Sequence, residues 1–367
     1  MSVLKSRPVL RWLVPVAAAV TVVGGGAAVG TFAADAEPSL PPRSAAQLLV
    51  DLQTARLDGL SGTVVQRSDL GLPPAAGLLG GGDDLTALLT GTHTLRVWHS
   101  GPDKQRIALV DTLGERNLIR NGRDVWAWDS RTNTATHRTL PAGGSAEGRP
   151  AGAPDLPATP QEAAKLALQA VEPSTEVSVG RSATVAGRDA YELVLRPRDE
   201  ASLIDQVRVA IDAKEYVPLR FEVFADAADR PAFEMAFTQI DYQRPDADQF
   251  TFNPPPGTVT ENLDAEKAAV APGERPEHDK TRTVGEGWTT VVITQTGTEK
   301  DKAAGDAEAK PGTTAGPNLD GVLPEVSGDW GKGRLFSTNL VNVLFTDDGR
   351  MLAGAVTPER LFQAAKG

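Results

Sequence analysis

From His93 to Leu140 the chain reads HTLRVWHS-GPD-KQRIALVD-TLG-ERNLIRNG-RDVWAWDS-RTN-TATHRTL. This is a series of short β-rich segments cut by turn signals, and it admits few folds. Leu95 and Val97 alternate with Arg96 and Trp98, and Ile107 and Leu109 alternate with Ala108 and Val110. A period of two is the signature of strands with distinct faces. Asn121-Gly122 is a hairpin turn, because both residues tolerate positive φ. It sends Val125 and Ala127 to one face and Trp126 and Trp128 to the other.

The rest of the chain supports a mostly β reading. Ser44 caps a helix over residues 44–56, with Leu48, Leu49 and Leu52 at helical spacing. Thr63 to Arg67 is a β-branched strand. Residues 70–91 are rich in Gly and Pro, with apolar pairs Leu78-Leu79 and Leu88-Leu89. They read either as a loose insertion or as a mobile apolar lid. A polar loop over 142–158 leads to Thr159-Pro160-Gln161-Glu162, a helix start with Pro at the first position. A second β-run follows, over residues 178–240, with Phe233, Met235 and Phe237 on one face. Phe250-Thr251-Phe252 and three prolines close that domain. Turns every 8–12 residues imply antiparallel neighbours. The expected fold is α+β, mostly β: a half-open, curved antiparallel sheet with capping helices, followed by a small C-terminal β-β-β-α module.

The domain plan assigns 1–36 to a signal peptide or membrane anchor, 37–43 to a tether and 44–260 to the main β-domain. Residues 261–282 are a charged linker. Residues 283–367 form the C-terminal module, with a low-complexity insert at 297–317. Lys5, Arg7 and Arg11 precede an uncharged stretch from Trp12 to Ala34, the pattern of an export signal. Its length also suits a single membrane span with the positive end inside. Either way the remainder is placed outside the cytoplasm.

Composition removes several function classes. The 367 residues carry no cysteine, so disulfides, thiolate metal sites, Cys nucleophiles and an acylated lipobox are excluded. The net charge of −11 argues against nucleic acid as a partner. Four histidines occur, at 93, 99, 137 and 278. Those at 93 and 99 lie about 20 Å apart along a strand, too far to share a metal. Asp83-Asp84 and Asp347-Asp348 lack calcium-loop spacing and read as turn chemistry. No metalloprotease, serine-hydrolase or phosphate-loop pattern appears. No enzyme activity, metal or cofactor is therefore expected.

The order of a helix at 44–56, a strand at 62–67, a strand carrying Trp98 and the hairpin Arg120-Asn121-Gly122-Arg123-Asp124-Val125-Trp126-Ala127-Trp128-Asp129 resembles the LolA/RseB superfamily of extracytoplasmic lipid and lipoprotein binders. The resemblance covers roughly residues 44–256. It implies a half-open barrel whose helices cap an apolar cavity for acyl chains. Trp98, Trp126 and Trp128 would then line one wall, or pack as sheet-face core. Phe221, Phe233, Met235 and Phe237, with Ile240, would line the opposite wall. Leu78, Leu79, Leu88 and Leu89 would form the lid. The expected partners are lipid or lipoprotein acyl chains, a membrane surface through the N-terminal segment, and, for an RseB-like regulator, a membrane-anchored protein held by the C-terminal module.

Overall fold

The structure is a computed structural model, and it describes residues 38–72, 90–111, 114–140, 173–226, 228–263, 281–295 and 323–367. The predicted lid leucines, the helix start at Thr159 and the apolar stretch Trp12 to Ala34 lie outside these residues. No described helix is long and apolar enough to cross a membrane.

Helix α1 spans Ala45–Thr54 and begins as the sequence predicts. The Ser44 hydroxyl accepts from the Gln47 N–H, and the Gln47 side chain accepts from the Ser44 N–H, closing a capping box. Strand β1 (Gly59–Asp69) follows. Then come β2 (Thr90–Ser100), β3 (Lys104–Asp111), β4 (Gly114–Asn121), β5 (Asp124–Asp129) and β6 (Thr134–Thr139). The second run supplies β7 (Thr175–Val179), β8 (Ala183–Val185), β9 (Arg188–Pro197), β10 (Ile204–Asp212), β11 (Pro218–Ala225) and β12 (Phe233–Asp241). Strand β13 (Val259–Leu263) completes a 13-stranded sheet in the order β13-β6-β5-β4-β3-β2-β1-β12-β11-β10-β9-β7, with β8 also on β9. The sheet stays open, with β13 and β7 as its ends. The two halves meet where β1 pairs with β12, Val64 opposite Phe237 and Gln66 opposite Met235.

Every strand pair in this sheet is antiparallel except β13 with β6, which is parallel. Parallel neighbours need a long crossover, and the segment between β12 and β13 provides it. This segment passes Gly59 so closely that a Cβ there would sit 2.4 Å from the Arg244 Cα. It then forms a 3-10 turn, Ala247–Phe250, and reaches the edge past the three prolines. The reading that the domain ends at those prolines is thus corrected. Residues 261–263, assigned to a linker, lie in the edge strand β13.

One face of the sheet carries the main core. Helix α1 inserts Leu48 and Leu49 against Tyr191, Leu193, Val207, Val209, Ile211 and Val223. Each such aliphatic side chain taken out of water contributes about 1.5–3 kcal/mol. Next to it, Val64, Val97, Met235 and Phe237 continue the packing toward Ile107.

The C-terminal module is richer than the three strands expected. Strands β14 (Arg282–Val284), β15 (Val291–Gln295), β16 (Glu325–Gly328), β17 (Gly331–Ser337), β18 (Asn342–Thr346) and β19 (Arg350–Gly354) form a second, antiparallel sheet in the order β14-β15-β19-β18-β17-β16. Strands β17 and β18 form a hairpin turned at Thr338, whose backbone N–H donates to the Val341 carbonyl. Helix α2 (Pro358–Ala365) has Pro at its start and Glu359 in its first turn, as helix N-termini favour. It seats Leu361, Ala364 and Ala365 on Ile293, Leu335, Leu344 and Leu352.

The module is fastened to the first sheet. Ser202 and Val356 form a β-bridge, flanked by Leu203 N–H to Ala355 carbonyl (3.0 Å) and Thr357 N–H to Ala201 carbonyl (2.9 Å). Asn339 donates through its backbone to Leu70 (2.7 Å) and through its side chain to Asp69 (3.0 Å). Trp288 and Leu340 pack against the core that α1 covers.

Candidate functional site

Cross-strand partners share a face, so the register decides which predicted site residues can meet. Trp98 stands opposite Arg106, Arg106 opposite Ile119, Ile119 opposite Trp126, and Trp126 opposite His137. Trp128 is two residues on from Trp126 and shares its face. Phe237 stands opposite Val64, Val64 opposite Leu95, and Leu95 opposite Leu109. Leu95 and Trp98 have opposite parity on a strand with no register shift against β1 or β3. Phe221 stands opposite Met235, and Phe233 opposite Ser68, on the Val64 side. The three tryptophans and the Phe221, Phe233, Met235, Phe237 group therefore lie on opposite faces. They do not form two walls of one cavity.

The tryptophan face is covered by the crossover strap. The Phe250 side chain is 1% exposed. Phe252 sits 5.2 Å from the Trp126 ring and 6.1 Å from the Trp128 ring, centroid to centroid. Arg106 lies over the Trp98 ring at 5.2 Å and donates to the Gln249 carbonyl. His137 stacks on Trp126 at 4.2 Å and contacts Asp124 and Asn262, the latter on β13. These aromatics hold the strap and the parallel edge strand in place.

Among the described residues, the helix face divides into a covered and an uncovered half. From β9 to β12 it lies beneath α1, Trp288 and Leu340. Across β3 to β5 it presents Ile107, Leu118 and Ala127 in one cross-strand row, with Leu109 and Val125 beside it. Leu118 is 47% exposed and Ala127 is exposed. Arg120 and Arg138 stand opposite Val125 on its two sides, and Arg116 faces Asp129 at 4.0 Å. An apolar strip with a cationic margin thus lies next to the packed core. Alternation along β4 and β5 showed its residues in the sequence. Which face they joined depended on pairings between strands far apart in the chain.

A second concavity lies at the far end of the sheet. A pocket of about 390 Å³ opens between the tether and two tight turns, bounded by Pro41, Arg43, Arg188, Tyr191, Lys214 and Tyr216 among others. Tyr191 donates to the Pro41 carbonyl (2.9 Å), which seats the tether on β9. Arg188 pairs with the carboxylate of Asp212, which is 1% exposed, and lies 4.5 Å over the Tyr242 ring. Burial pushes the Asp212 carboxyl up. Hydrogen bonds from Arg188, the Glu215 and Lys214 N–H groups and Tyr242 outweigh it and leave the pKa below the ordinary value. Burial and the bond to Asp212 raise the Tyr242 hydroxyl well above its usual range. Nothing in the sequence alone singled out this cluster.

An open antiparallel sheet with a helix over part of one face, a strap over the other and a smaller sheet docked on it agrees with the open, mostly β architecture that the resemblance to the LolA/RseB superfamily implied. Residues 89–256 match the family model of the MucB/RseB N-terminal domain. The match runs from β2 through the strap. No curated protein matches the chain. Among solved structures, the chain is similar to one in the complex of Pseudomonas aeruginosa MucA/MucB, at 15% identity and a TM-score of 0.43 over 88% of this chain and 96% of that one. A LolA superfamily protein of Nitrosomonas europaea is 12% identical, with a TM-score of 0.22 over 57% of this chain and 99% of that one. An uncharacterized conserved protein from Thermus thermophilus is 10% identical, with a TM-score of 0.34 over 59% of this chain and 98% of that one.

Proposed function

We propose that the protein is a non-enzymatic, extracytoplasmic binding protein that holds an acyl chain of a lipid or lipoprotein. The observation that carries this reading is the continuation of the helix-face core into the strip of Ile107, Leu118, Val125 and Ala127, which no described residue covers and where Leu118 is 47% exposed. An apolar surface joined to a packed core extends that core when an alkyl chain lies on it. Each CH₂ removed from water is worth about 0.8 kcal/mol, so one chain binds without specific polar contacts. The N-terminal basic and apolar segment supports the extracytoplasmic placement.

The test is native mass spectrometry of the full chain from its host's envelope, repeated with Leu118→Glu. Leu118 is about half exposed, so a charge there leaves the fold intact. A bound lipid or acyl peptide in the parent and its loss in the variant is the expected result. Equal lipid content in both would refute the assignment of the strip.

A second reading, an RseB-like regulator contacting a membrane-anchored anti-sigma factor or sensor, is favoured by the C-terminal sheet. Phe336, Val343, Ala353 and Val292 stand in one cross-strand row on the face away from α2, and Val292 is 39% exposed. An apolar row of this kind suits a protein partner. Capture of a single-span membrane protein by the intact chain, abolished by Val292→Asp with Val343→Asp, would favour this role over the carrier role.

A further inference from the structure

The pocket between the tether and the two turns differs in chemistry from the apolar strip. Its cations are Arg43, Arg188 and Lys214, and its carboxylates are Asp189 and Asp212. Asp212 has nothing left to offer a ligand. It accepts from Arg188 Nε and Nη2, from the backbone N–H groups of Lys214 and Glu215, and from the Tyr242 hydroxyl. That fills the lone-pair sites of a carboxylate.

The donors, in contrast, are incompletely used among the described residues. Arg188 spends its Nε and one Nη proton on Asp212 and keeps the remainder. Arg43 holds one Nη 3.2 Å from the Asp51 carboxylate as an ion pair, donates the other to the Tyr216 hydroxyl (2.8 Å), and keeps its Nε–H. Tyr216 accepts from Arg43 and retains its own proton. The Lys214 ammonium is exposed, and no side-chain partner engages it among the described residues. Among the lining side chains only Asp189, exposed at the mouth, offers free carboxylate oxygens. Asp51 and Asp212 offset Arg43 and Arg188 in charge, so any preference comes from hydrogen-bond direction more than from net field.

A donor-rich, acceptor-poor pocket selects a ligand made of acceptors. We infer that this pocket binds a phosphate group carrying a small organic substituent. Guanidinium and ammonium donors on separate elements around one pocket suit a tetrahedral oxyanion. The volume of about 390 Å³ exceeds what phosphate alone fills and lies within the range of small-ligand sites. Leu40, Pro41, Ala213 and the two tyrosine rings supply walls for the organic part. The phosphate ester comes either from a soluble metabolite or from a phospholipid headgroup. Because the tether forms one wall, occupancy fixes residues 40–43 against the turns at Gly187 and Lys214 and links ligand binding to the placement of the N-terminal segment.

The experiment uses the full chain, in a neutral detergent for the titrations and with the detergent removed before vesicles are added. Calorimetric titration with glycerol 3-phosphate is run against glycerol. Co-sedimentation with phosphatidylglycerol vesicles is run against phosphatidylcholine vesicles. Lys214→Ala, on an exposed and unengaged side chain, and Arg43→Gln are compared with the parent, and Lys332→Ala serves as a distant control. Saturable binding of glycerol 3-phosphate, weakened tenfold or more in the two variants and unchanged in the control, supports a soluble phosphate ester. A phosphatidylglycerol preference lost in the same variants, without binding of the soluble ester, supports a lipid headgroup. Absence of both effects, or effects equal in all variants including the control, overturns the inference.

Discussion

Two buried carboxylates set opposite pH trends. Asp212 has a folded pKa below its unfolded value, so its contribution is complete above the unfolded pKa of about 3.9 and fades as pH falls through the folded one. Glu222 behaves the other way. It stands opposite Arg208 on one side and Glu234 on the other. Burial raises its pKa; Arg220, 3.2 Å away, pulls it down, and Glu234 and Glu192 push it up. A carboxyl with a raised folded pKa destabilises the fold progressively as pH climbs from its unfolded toward its folded value. Glu222→Gln should therefore gain stability relative to the parent as pH rises above about 4. Asp212→Asn should lose about 3 kcal/mol at neutral pH, because Arg188 keeps its charge without a counter-ion, and should close that gap in acid. Urea titrations at several pH values check both signs; parallel curves for parent and variants would refute them. Neither behaviour was legible in the sequence. Asp212 looks like any turn aspartate before Lys214, and only the approach of Arg188 and Tyr242 makes it a buried hub.

At the scale of elements, alternation and turns were readable and pairing was not. The Asn121-Gly122 turn, the parity of Trp126 and Trp128 and the Ser44 cap are local facts, and they stand as written in the chain. The distribution of the predicted cavity residues over two faces depends on β1 joining β2 and β12, a register set between residues some 170 positions apart. The strap was missed for a related reason. Phe250-Thr251-Phe252 followed by prolines looks like a domain end, although two aromatics in a Pro-rich segment signal something to bury. Phe250→Ala should cost about 3–5 kcal/mol, the range for emptying a fully buried aromatic site. It should also expose Trp98, Trp126 and Trp128 to water. A red shift in tryptophan emission with native far-UV dichroism is the expected reading. Unshifted emission would mean that the strap does not cover the tryptophan face.

For the whole molecule, the question is whether the two sheets behave as one cooperative unit. The sequence places a linker over residues 261–282 before the C-terminal module, and contacts run from that module to the first sheet. Trp288 donates to Thr175 Oγ1 at 2.7 Å and packs with Leu340 against the core shared by α1, β9 and β10. The bridge between Ser202 and Val356 adds backbone bonds on both sides. The same core receives Leu40 from the tether. Tether, helix and C-terminal module therefore meet on one surface. A change in any of them alters the packing available to the others, which is the physical requirement for passing a binding event to a partner surface. If this holds, the described parts of the chain unfold in a single calorimetric transition. Removing Trp288 and Leu340 together, as Trp288→Ala with Leu340→Ala, takes away the module's side-chain anchors and leaves each sheet its own core. That variant should split the transition in two, the smaller one belonging to the module. The module's melting should then ignore ligands of the first sheet, whereas in the parent a ligand raises the whole transition. Two transitions already present in the parent would show that the interface is too weak to couple the sheets.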